Sequence, residues 1–511
     1  MQDRGRIGTV SYRGFDIDLY EKNDWHFEGD LPRNVRHHLL SLRWLGGFPS
    51  RQRHVLAEDF IRFHNSADHV SPLYLGRAAD HTASIRLGVL LDLERSSANS
   101  RQKNAFVQEA VKTIRSMLSG ETYKANNNHG LSVDIALLRA FKHRRLREIF
   151  SDGMRFAADR AMTQFSHIFD AGGVTREHSI GYQEFNAVLA KDLLAAIDDS
   201  PLQDNSLAER VERVIDASKV VLGYALTAAG AYIPLGDTPR EPKSKRLKRI
   251  FGSANPRSSL APFSSQDGMM VAPHGGFCFI RSGAIHAAIT ASWHSYVHKQ
   301  DDDLATSIII NGKTFIDDAG HPGISQAPIA KSVDGHSTIT VEGARWLGKG
   351  NCSEGGSSIR AVVSQPDVQG AWCRHTRIAM FTVERFMGRT SAGNLVLIDR
   401  VLPETTSRQR FILGPQVYAS INDRTVSISD GANTLYILAD GLGEWHRSET
   451  EVVYGSEVRP AVALDSWTKA PVTFVADIIQ LPRPHEFLTE ALNWPEDHPF
   501  EGWNVYGLNG H

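Results

Sequence analysis

The stretch of the sequence richest in reactive side chains is Ser292–Leu304, which combines imidazole, phenol, ammonium and carboxylate groups. A predicted strand, Leu304–Ile310, follows it, then the turn Asn311-Gly312 and a return strand, Lys313–Ile316. A polar cluster at the mouth of a rigid hairpin is well placed for acid–base chemistry. On this stretch alone, a charged and solvated entrance to the strand is the simpler interpretation.

A second cluster, Asn126-Asn127-Asn128-His129-Gly130, precedes a predicted helix that begins near Leu131. Side-chain amides and an imidazole at a helix N-terminus can bind a carboxylate or another anion. The alternative is that Asn128 only caps the helix and that its neighbours form a turn. Three consecutive asparagines exceed what one cap requires, so both interpretations stay open.

A third cluster is the segment Thr175–Gly181, which leads into a helix with Tyr182 at its polar start. A tyrosine can act as an acid or a base when nearby positive charge lowers its normally high pKa. Arg176, His178 and His298 are candidates to supply that charge, while a core position for Tyr182 is the simpler alternative. The three clusters together predict a cleft between domains.

The elements that must position these clusters change character along the chain. Up to about residue 235, apolar residues recur at helical spacing, which predicts about eight helices wound into an open toroid or bundle. A connector follows over 236–268; its basic run has no interleaved aromatic residues, which favours a solvated linker over a nucleic-acid arm. Short β-type runs then predict a large antiparallel sandwich. Helices followed by strands indicate two packed modules.

Composition excludes several other classes of protein. The chain has 511 residues, a formal net charge of −2 and three widely spaced cysteines, so a nucleic-acid binder, a disulfide scaffold and a thiolate zinc site are not expected. There is no apolar run of membrane-spanning length, and no P-loop, HExxH or GxSxG motif. The start lacks an apolar signal core, which predicts a cytoplasmic protein, or a periplasmic or secreted one if a leader was removed.

In order and spacing, these motifs resemble the heparinase II/III family of polysaccharide lyases, and its heparinase III branch in particular. The anchors are Asn127-Asn128-His129-Gly130, Glu177-His178-Ser179-x-Gly181-Tyr182, His298-Lys299-Gln300-x-Asp302-x-Leu304 through Asn311-Gly312 to Asp318-Ala319-Gly320, Gly335-His336-Ser337-Thr338, His375-x-Arg377 and Ile398-Asp399-Arg400. The resemblance covers nearly the whole chain. It implies a multidomain, α-then-β fold: an N-terminal (α/α) toroid, an incomplete barrel, over 1–250 and a C-terminal antiparallel β-sandwich over 251–511.

The resemblance implies β-elimination on an acidic polysaccharide that contains uronic acid. Asn128 and His129 would neutralise the uronate carboxylate and stabilise the enolate-like intermediate. Tyr182 would act as the acid, and also as the base for one epimer, with His298 as a second base or charge partner. The substrate-binding residues implied or suggested by position are Asn127, Arg176, His178, Tyr296, Lys299 and Arg345.

The elimination requires no cofactor, but a structural divalent ion is conceivable. Many relatives have His-x-His where this chain has His298-Lys299-Gln300, and the second histidine helps to hold a metal. A hard ion held by Gln300, Asp318 and His336 would fit better than zinc, which prefers more imidazole and thiolate ligands. The alternative is that Asp318 and His336 only tie hairpins together.

Two other functions compete with the lyase. A glycoside hydrolase on an (α/α) toroid would need two carboxylic acids across the scissile bond, and Glu177 and Asp302 are the available pair. A non-catalytic polysaccharide-binding protein of an exopolysaccharide system is the third hypothesis. The intact set of Asn128, His129, Tyr182 and His298 favours catalysis. The polymer, endo or exo action and oligomeric state are left open by the sequence.

Overall fold

The computed structural model describes residues 6–12, 14–20, 23, 25, 31–65, 80–120, 123–198, 205–241, 244–252, 267–294, 298–321, 328–348, 356–422, 425–440, 444–454, 457–468, 472–478 and 505–507. The helices of this part of the chain are α1 Arg33–Leu40, α2 Ser50–His64, α3 Asp80–Ser96, α4 Ser100–Ser119, α5 Asn128–Ala140, α6 Arg144–Ile149, α7 Gly153–Ile168, α8 Ile180–Asp198, α9 Asn205–Ala225 and α10 Ser244–Phe251. The strands are β1 Arg6–Tyr12, β2 Phe15–Tyr20, β3 Gly268–Ala272, β4 Phe277–Ser282, β5 Ile285–Thr290, β6 Thr306–Ile310, β7 Lys313–Asp317, β8 Ile339–Val341, β9 Ser357–Ser364, β10 Val368–Ile378, β11 Phe381–Thr390, β12 Leu395–Leu402, β13 Ser407–Leu413, β14 Tyr418–Asn422, β15 Thr425–Ser429, β16 Thr434–Asp440, β17 Trp445–Tyr454, β18 Glu457–Thr468, β19 Val472–Ile478 and β20 Val505–Gly507.

The chain divides into two compact units that do not follow the change from helices to strands. One unit comprises Met1–Ile168 and Leu189–Glu212, and the other Phe169–Val188 and Arg213–His511. None of the described helices is both long and apolar enough to cross a membrane. We describe each unit by itself and call them the helical unit and the β unit.

The helical unit has the amphipathic helices that the apolar spacing predicts. In α4, the side chains of Phe106, Ala110 and Ile114 are buried at intervals of four residues. The helix begins where the side chain of Asn99 accepts a hydrogen bond from the backbone N–H of Arg101, at 2.8 Å. Helix α3 packs against both α4 and α5, and α5 packs against α7.

Two local features of the helical unit differ from the prediction. The first described residues form an antiparallel hairpin of β1 and β2 where only helices were expected, with Val10 and Leu19 buried. The alternation of apolar and polar residues in β1 and β2 is short and interrupted by charged residues, so it does not predict strands. The apolar spacing over 143–163 predicts one amphipathic helix, but the structure breaks it into α6 and α7, because a turn joins the N–H of Gly153 to the carbonyl of Phe150.

The β unit is built on two antiparallel sheets whose inner faces share one core. One sheet has the strand order β14-β15-β16-β19-β12-β11-β10-β9-β20, and the other has the order β17-β18-β13-β7-β6-β5-β4-β3, with β8 also paired to β13. Ile280 and Ile308 of the second sheet lie in the same buried cluster as Ala371 and Leu397 of the first. This arrangement is a β-sandwich, as predicted.

The start of α8 and the end of α9 belong to the β unit and pack on one of its sheets through a second apolar cluster. Ile180 and Leu222 are buried together with Phe277, Phe279 and Ile309. The face of the sheet opposite the sandwich core is therefore covered by helix, and the beginning of α8 is held at a defined place on β4, β5 and β6.

The predicted hairpin at Asn311-Gly312 is confirmed. Both residues have positive φ angles, 49° and 79°, and Ile310 pairs with Lys313 across the turn. Asparagine and glycine adopt this conformation at low cost, so the turn fixes the register of β6 and β7. The loop that precedes β6 is thereby anchored at its C-terminal end.

A buried ion network fixes that loop from within. The ammonium group of Lys299 is enclosed and pairs with Asp302 and Asp303. The guanidinium of Arg377 lies 2.6 Å from Asp303 and 2.5 Å from Asp301. Asp302 and Asp303 are therefore structural, and the alternative of a solvated strand entrance is wrong for these two, whereas Asp301 stays partly exposed.

Removing one partner from this network should destabilise the protein strongly. Arg377→Met leaves Asp303 short of a partner in a buried site, so we expect the free energy of unfolding to fall by about 3–5 kcal/mol. The matched control is Arg408→Met, because Arg408 pairs with the half-exposed Asp334 at 2.8 Å and its loss should cost about 1 kcal/mol or less. Chemical denaturation of the variants measures both; equal losses would contradict the structural role of Arg377.

A buried histidine beside this network makes stability depend on pH. Burial lowers the pKa of His375 to about 4, whereas the unfolded side chain titrates near pH 6.5. Between these values the unfolded state takes up a proton that the native state does not, so stability should fall as the pH decreases from about 6.5 to 4. His375→Gln should remove up to about 3 kcal/mol of that dependence, as measured by denaturation across this pH range. An unchanged profile would contradict the assignment.

Candidate active site

The β unit brings Tyr182 and His298 into contact. Tyr182 lies in the first turn of α8, whose start is fixed by a 3.0 Å hydrogen bond from the N–H of Ile180 to the hydroxyl of Thr238. The phenol ring stacks on the imidazole of His298, with 3.8 Å between ring centroids and 29° between ring planes. His298 has a φ of 59°, which L-residues rarely adopt and which the surrounding loop must hold. Both rings are only partly buried, so a ligand can reach them.

Asp237 fixes the orientation and tautomer of His298. Its Oδ2 lies 2.9 Å from Nδ1 of His298, while its Oδ1 accepts a 2.6 Å hydrogen bond from Nε2 of Gln300. A carboxylate only accepts hydrogen bonds, so Nδ1 of His298 carries a proton, and in the neutral ring Nε2 is the nitrogen with the lone pair. Gln300 also donates to the carbonyl of Gly320 at 3.1 Å, which locks the carboxamide.

The charges around Tyr182 keep its phenol protonated. Burial raises the pKa of Tyr182, the carboxylates of Glu177 and Asp237 raise it further, and the guanidinium of Arg246 opposes them only in part. This is the reverse of the expected positive environment. The phenol therefore has a proton to donate, and its hydroxyl makes no hydrogen bond to another described residue.

Glu177 is held close to the pair but not bound to it. Its Oε2 lies 3.7 Å from Nε2 of His298, too far for a hydrogen bond, and its Oε1 accepts from the side chain of Asn186 at 3.1 Å. Asn186 also donates to the hydroxyl of Thr175 at 2.8 Å. The second acid that a hydrolase would need, Asp302, is buried and paired with Lys299, so these two carboxyls do not face a common substrate.

Asp237 was missed by the sequence prediction, which placed it in a connector. It follows Gly236, whose φ is 58° and where a Cβ atom would lie 2.2 Å from the carbonyl oxygen of His178. Only glycine fits there. The available signal was the Gly-Asp pair between Pro234 and Pro239, which indicates a tight turn but not what its carboxylate faces.

Two residues predicted to bind substrate are buried among polar partners. His178 is buried, and its Nε2 accepts a 2.9 Å hydrogen bond from the backbone N–H of His294. Lys299 is enclosed in the ion network described above. Neither side chain reaches a sugar carboxylate without leaving its buried partners, and the substrate-binding roles of both stay predictions.

The other predicted binding residues of the β unit stay predictions. Arg176 is half-buried, and Arg345 is exposed on the segment before the region 349–355. Tyr296 lies outside the described residues.

In the helical unit, the helix cap falls on Asn127, not on Asn128. The side-chain oxygen of Asn127 accepts hydrogen bonds from the N–H groups of His129 and Gly130, at 2.9 and 3.2 Å. Asn127 therefore orders the start of α5, and a direct role in binding substrate stays a prediction. Asn128 is the first helical residue, and its carboxamide does not cap the helix.

His129 projects from the same turn and is held by residues at the start of α3. Its Nδ1 lies 3.2 Å from Oδ1 of the buried Asp80, and its ring lies 5.7 Å from that of His81. With 44% of its side chain exposed, His129 can reach a ligand, whereas Asp80 cannot. Asp80 and His81 are adjacent in sequence, but nothing in their spacing indicated a partner at His129.

The three candidate metal ligands are buried in the β unit. Nδ1 of His336 lies 2.9 Å from Oδ2 of Asp318, and Gln300 directs its N–H groups at Asp237 and Gly320. Nε2 of His336 and Oε1 of Gln300 are buried without a hydrogen-bond partner in the described part of the chain. Among all the residues that the structure describes, no group of three or more His, Cys, Asp or Glu side chains is placed to hold a metal. The ion site stays a prediction, and no chemical step depends on it.

Comparison with known proteins identifies the fold. Residues 266–472 match the family model "Heparinase II/III-like, C-terminal". A heparan sulfate lyase, HepC, from Pedobacter heparinus is 16% identical, with a TM-score of 0.69 over 93% of this chain and 82% of that one. A heparinase III with methylated lysines is 13% identical, with a TM-score of 0.71 over 92% and 82% of the two chains. No curated protein sequence matches the chain.

At such low identities the likeness shows the fold. A third structure, a heparinase III that is 12% identical, has a TM-score of 0.64 over 93% of this chain and 81% of that one. The predicted fold class, a helical toroid followed by an antiparallel β-sandwich, is confirmed.

Proposed function

We propose that this chain, whose residues 266–472 belong to the heparinase II/III-like C-terminal family, is a polysaccharide lyase that cleaves a uronic-acid-containing polymer by β-elimination. The observation that carries the proposal is the contact between Tyr182 and His298, with Nδ1 of His298 fixed by Asp237. It places a protonated phenol beside an imidazole whose basic nitrogen, in the neutral ring, is Nε2.

The two groups have complementary roles in the elimination. Nε2 of His298 removes the C5 proton, which lies α to the uronate carboxylate, and Asp237 stabilises the imidazolium that forms. The electron pair of the C5–H bond becomes the C4–C5 double bond as the bond from C4 to the glycosidic oxygen breaks. Tyr182 donates its proton to the departing oxygen. The products are an unsaturated uronate and a new chain end.

The C5 proton is only weakly acidic until the uronate carboxylate is neutralised. We assign this task to Asn128 and His129, as the family resemblance implies. Their support is chemical: both lie in the first turn of α5, where the positive end of the helix dipole favours an anion, and Asp80 orients the imidazole of His129. A donor set of this kind stabilises an enolate-like intermediate as an oxyanion hole does.

The direct test is a panel of uronate polymers, with heparan sulfate first because the structural neighbours include a heparan sulfate lyase and heparinases III. Alginate and bacterial exopolysaccharides complete the panel. A lyase generates an unsaturated uronate that absorbs in the ultraviolet, so we expect absorbance to rise in step with new reducing ends. New reducing ends without absorbance would indicate hydrolysis and overturn the proposal.

A further inference from the structure

The β unit has an open cavity of about 500 Å³ between three of its turns. Its walls come from the β4–β5 turn, the start of β10 and the β11–β12 turn. This volume falls in the range of roughly 300–1,000 Å³ that is usual for small-molecule sites. Nothing in the lyase mechanism uses it.

The cavity lies away from the candidate active site. It borders the start of β5 at Ile285, whereas the loop that bears His298 follows the other end of that strand at Thr290. Five residues of extended chain separate the two ends by roughly 17 Å. A single sugar cannot occupy both places.

Arg389 is the one cationic side chain in the cavity wall, and its guanidinium is only partly satisfied. Its Nε and one terminal nitrogen donate to Oε1 of Gln369, at 3.3 and 3.0 Å, and the other terminal nitrogen donates to the carbonyl of Arg281 at 3.3 Å. A guanidinium has five N–H groups, so two are left for a ligand. Within the described residues Arg389 has no carboxylate partner, which distinguishes it from the arginines of the ion network.

The groups around Arg389 suit a sugar better than a simple anion. Asn394 is buried and lines the cavity, yet its carboxamide makes no hydrogen bond to another described residue. The hydroxyl of Ser391 and the carboxylate of Asp267 lie in the same wall. One guanidinium can bind one acidic group, and the carboxamide, hydroxyl and carboxylate around it can bind hydroxyls, so the wall suits a ligand that carries both.

We propose that this cavity is a second saccharide-binding site, which takes an acidic sugar residue of the polymer through the two remaining N–H groups of Arg389. The carboxamide of Asn394 and the carboxylate of Asp267 bind its hydroxyls. The choice of ligand rests on the proposed function; the site itself rests on the cavity and its polar wall. Arg389 and Gln369 are paired directly across β10 and β11, so the guanidinium is held ready for the ligand.

The test is calorimetric binding of a heparan sulfate octasaccharide to the full chain carrying Tyr182→Phe, so that the probe is not consumed. We expect two molecules of octasaccharide per chain. Arg389→Gln should weaken one of the two sites by roughly tenfold or more, because a charge-assisted contact is lost. Ser391→Trp, at an exposed position on the rim, should block the same site without disturbing the core. Ala432→Trp, in an exposed turn outside the cavity, is the matched control.

The outcomes separate this inference from the lyase proposal. Unchanged stoichiometry and affinity in both Arg389→Gln and Ser391→Trp would overturn the second site, whatever the lyase assay shows. If sodium sulfate binds the cavity as tightly as the octasaccharide does, the cavity is an anion site only. This result would also overturn the proposal. If the wild-type protein cleaves no polymer of the panel, loss of one bound octasaccharide in the Arg389→Gln variant would still support the second site while the lyase proposal fails.

Discussion

Tyr182→Phe is expected to lower kcat by roughly 10²–10⁴-fold while folding and substrate binding stay close to those of the wild type. The substitution removes only the hydroxyl, which has no hydrogen-bond partner among the described residues, and keeps the ring that stacks on His298. Because the pKa of Tyr182 is raised, the wild-type phenol is protonated near neutral pH, and phenylalanine has no proton to give to the leaving oxygen. Initial rates of ultraviolet-absorbing product measure the effect.

The matched control for this variant is Tyr418→Phe. Tyr418 is an exposed tyrosine of β14, so loss of its hydroxyl should leave kcat, KM and thermal stability unchanged. Wild-type turnover in Tyr182→Phe would remove the phenol from the mechanism. An equal loss of activity in both variants would point to a general effect on the protein.

Asp237→Asn should have the second largest effect, a fall in kcat of roughly 10²–10⁴-fold with little change in KM. Gln300 already donates a hydrogen bond to Oδ1 of Asp237, so the new carboxamide must place its oxygen there and turn its NH₂ group toward His298. Nδ1 of His298 then becomes an acceptor, the proton moves to Nε2, and the base is lost. The shape of the site is kept, so binding survives.

The decisive readout for Asp237→Asn is the pH dependence of kcat, since a positioning residue alters the ionisation on which the rate depends. We expect Asp237→Glu to recover part of the rate, because it restores a carboxylate. Asp216→Asn, an exposed residue that pairs with Lys219 on α9, is the control. A wild-type pH profile in Asp237→Asn would show that His298 does not act through this carboxylate.

Much of the architecture could be predicted from local patterns. The spacing of Phe106, Ala110 and Ile114 predicts a helix face because the same residues that repeat along α4 are those that become buried. Asn311-Gly312 predicts the hairpin because its conformation is a property of two adjacent residues. The phenol of Tyr182 and the imidazole of His298 mark both residues as candidate acid–base groups, and the structure brings them together.

The partners of these side chains could not be predicted, because they come from distant parts of the chain. Asp237 is 61 positions before His298, and only the fold decides that its carboxylate meets Nδ1. Lys299 is next to His298 in sequence and equally polar, yet it is buried because Asp302 and Asp303 turn inward with it. Local charge does not distinguish a catalytic side chain from a structural one.

The make-up of the β unit has a consequence for how this protein can be cut or recombined. Tyr182 and Glu177 belong to the segment Phe169–Val188, which is part of the β unit although it lies far upstream of the first sandwich strand. A fragment or chimera joined where strands replace helices would inherit His298 without its proton donor. Such a hybrid could fold its sandwich and still be inactive. A chimera that also includes the upstream segment would transfer the acid and the base together.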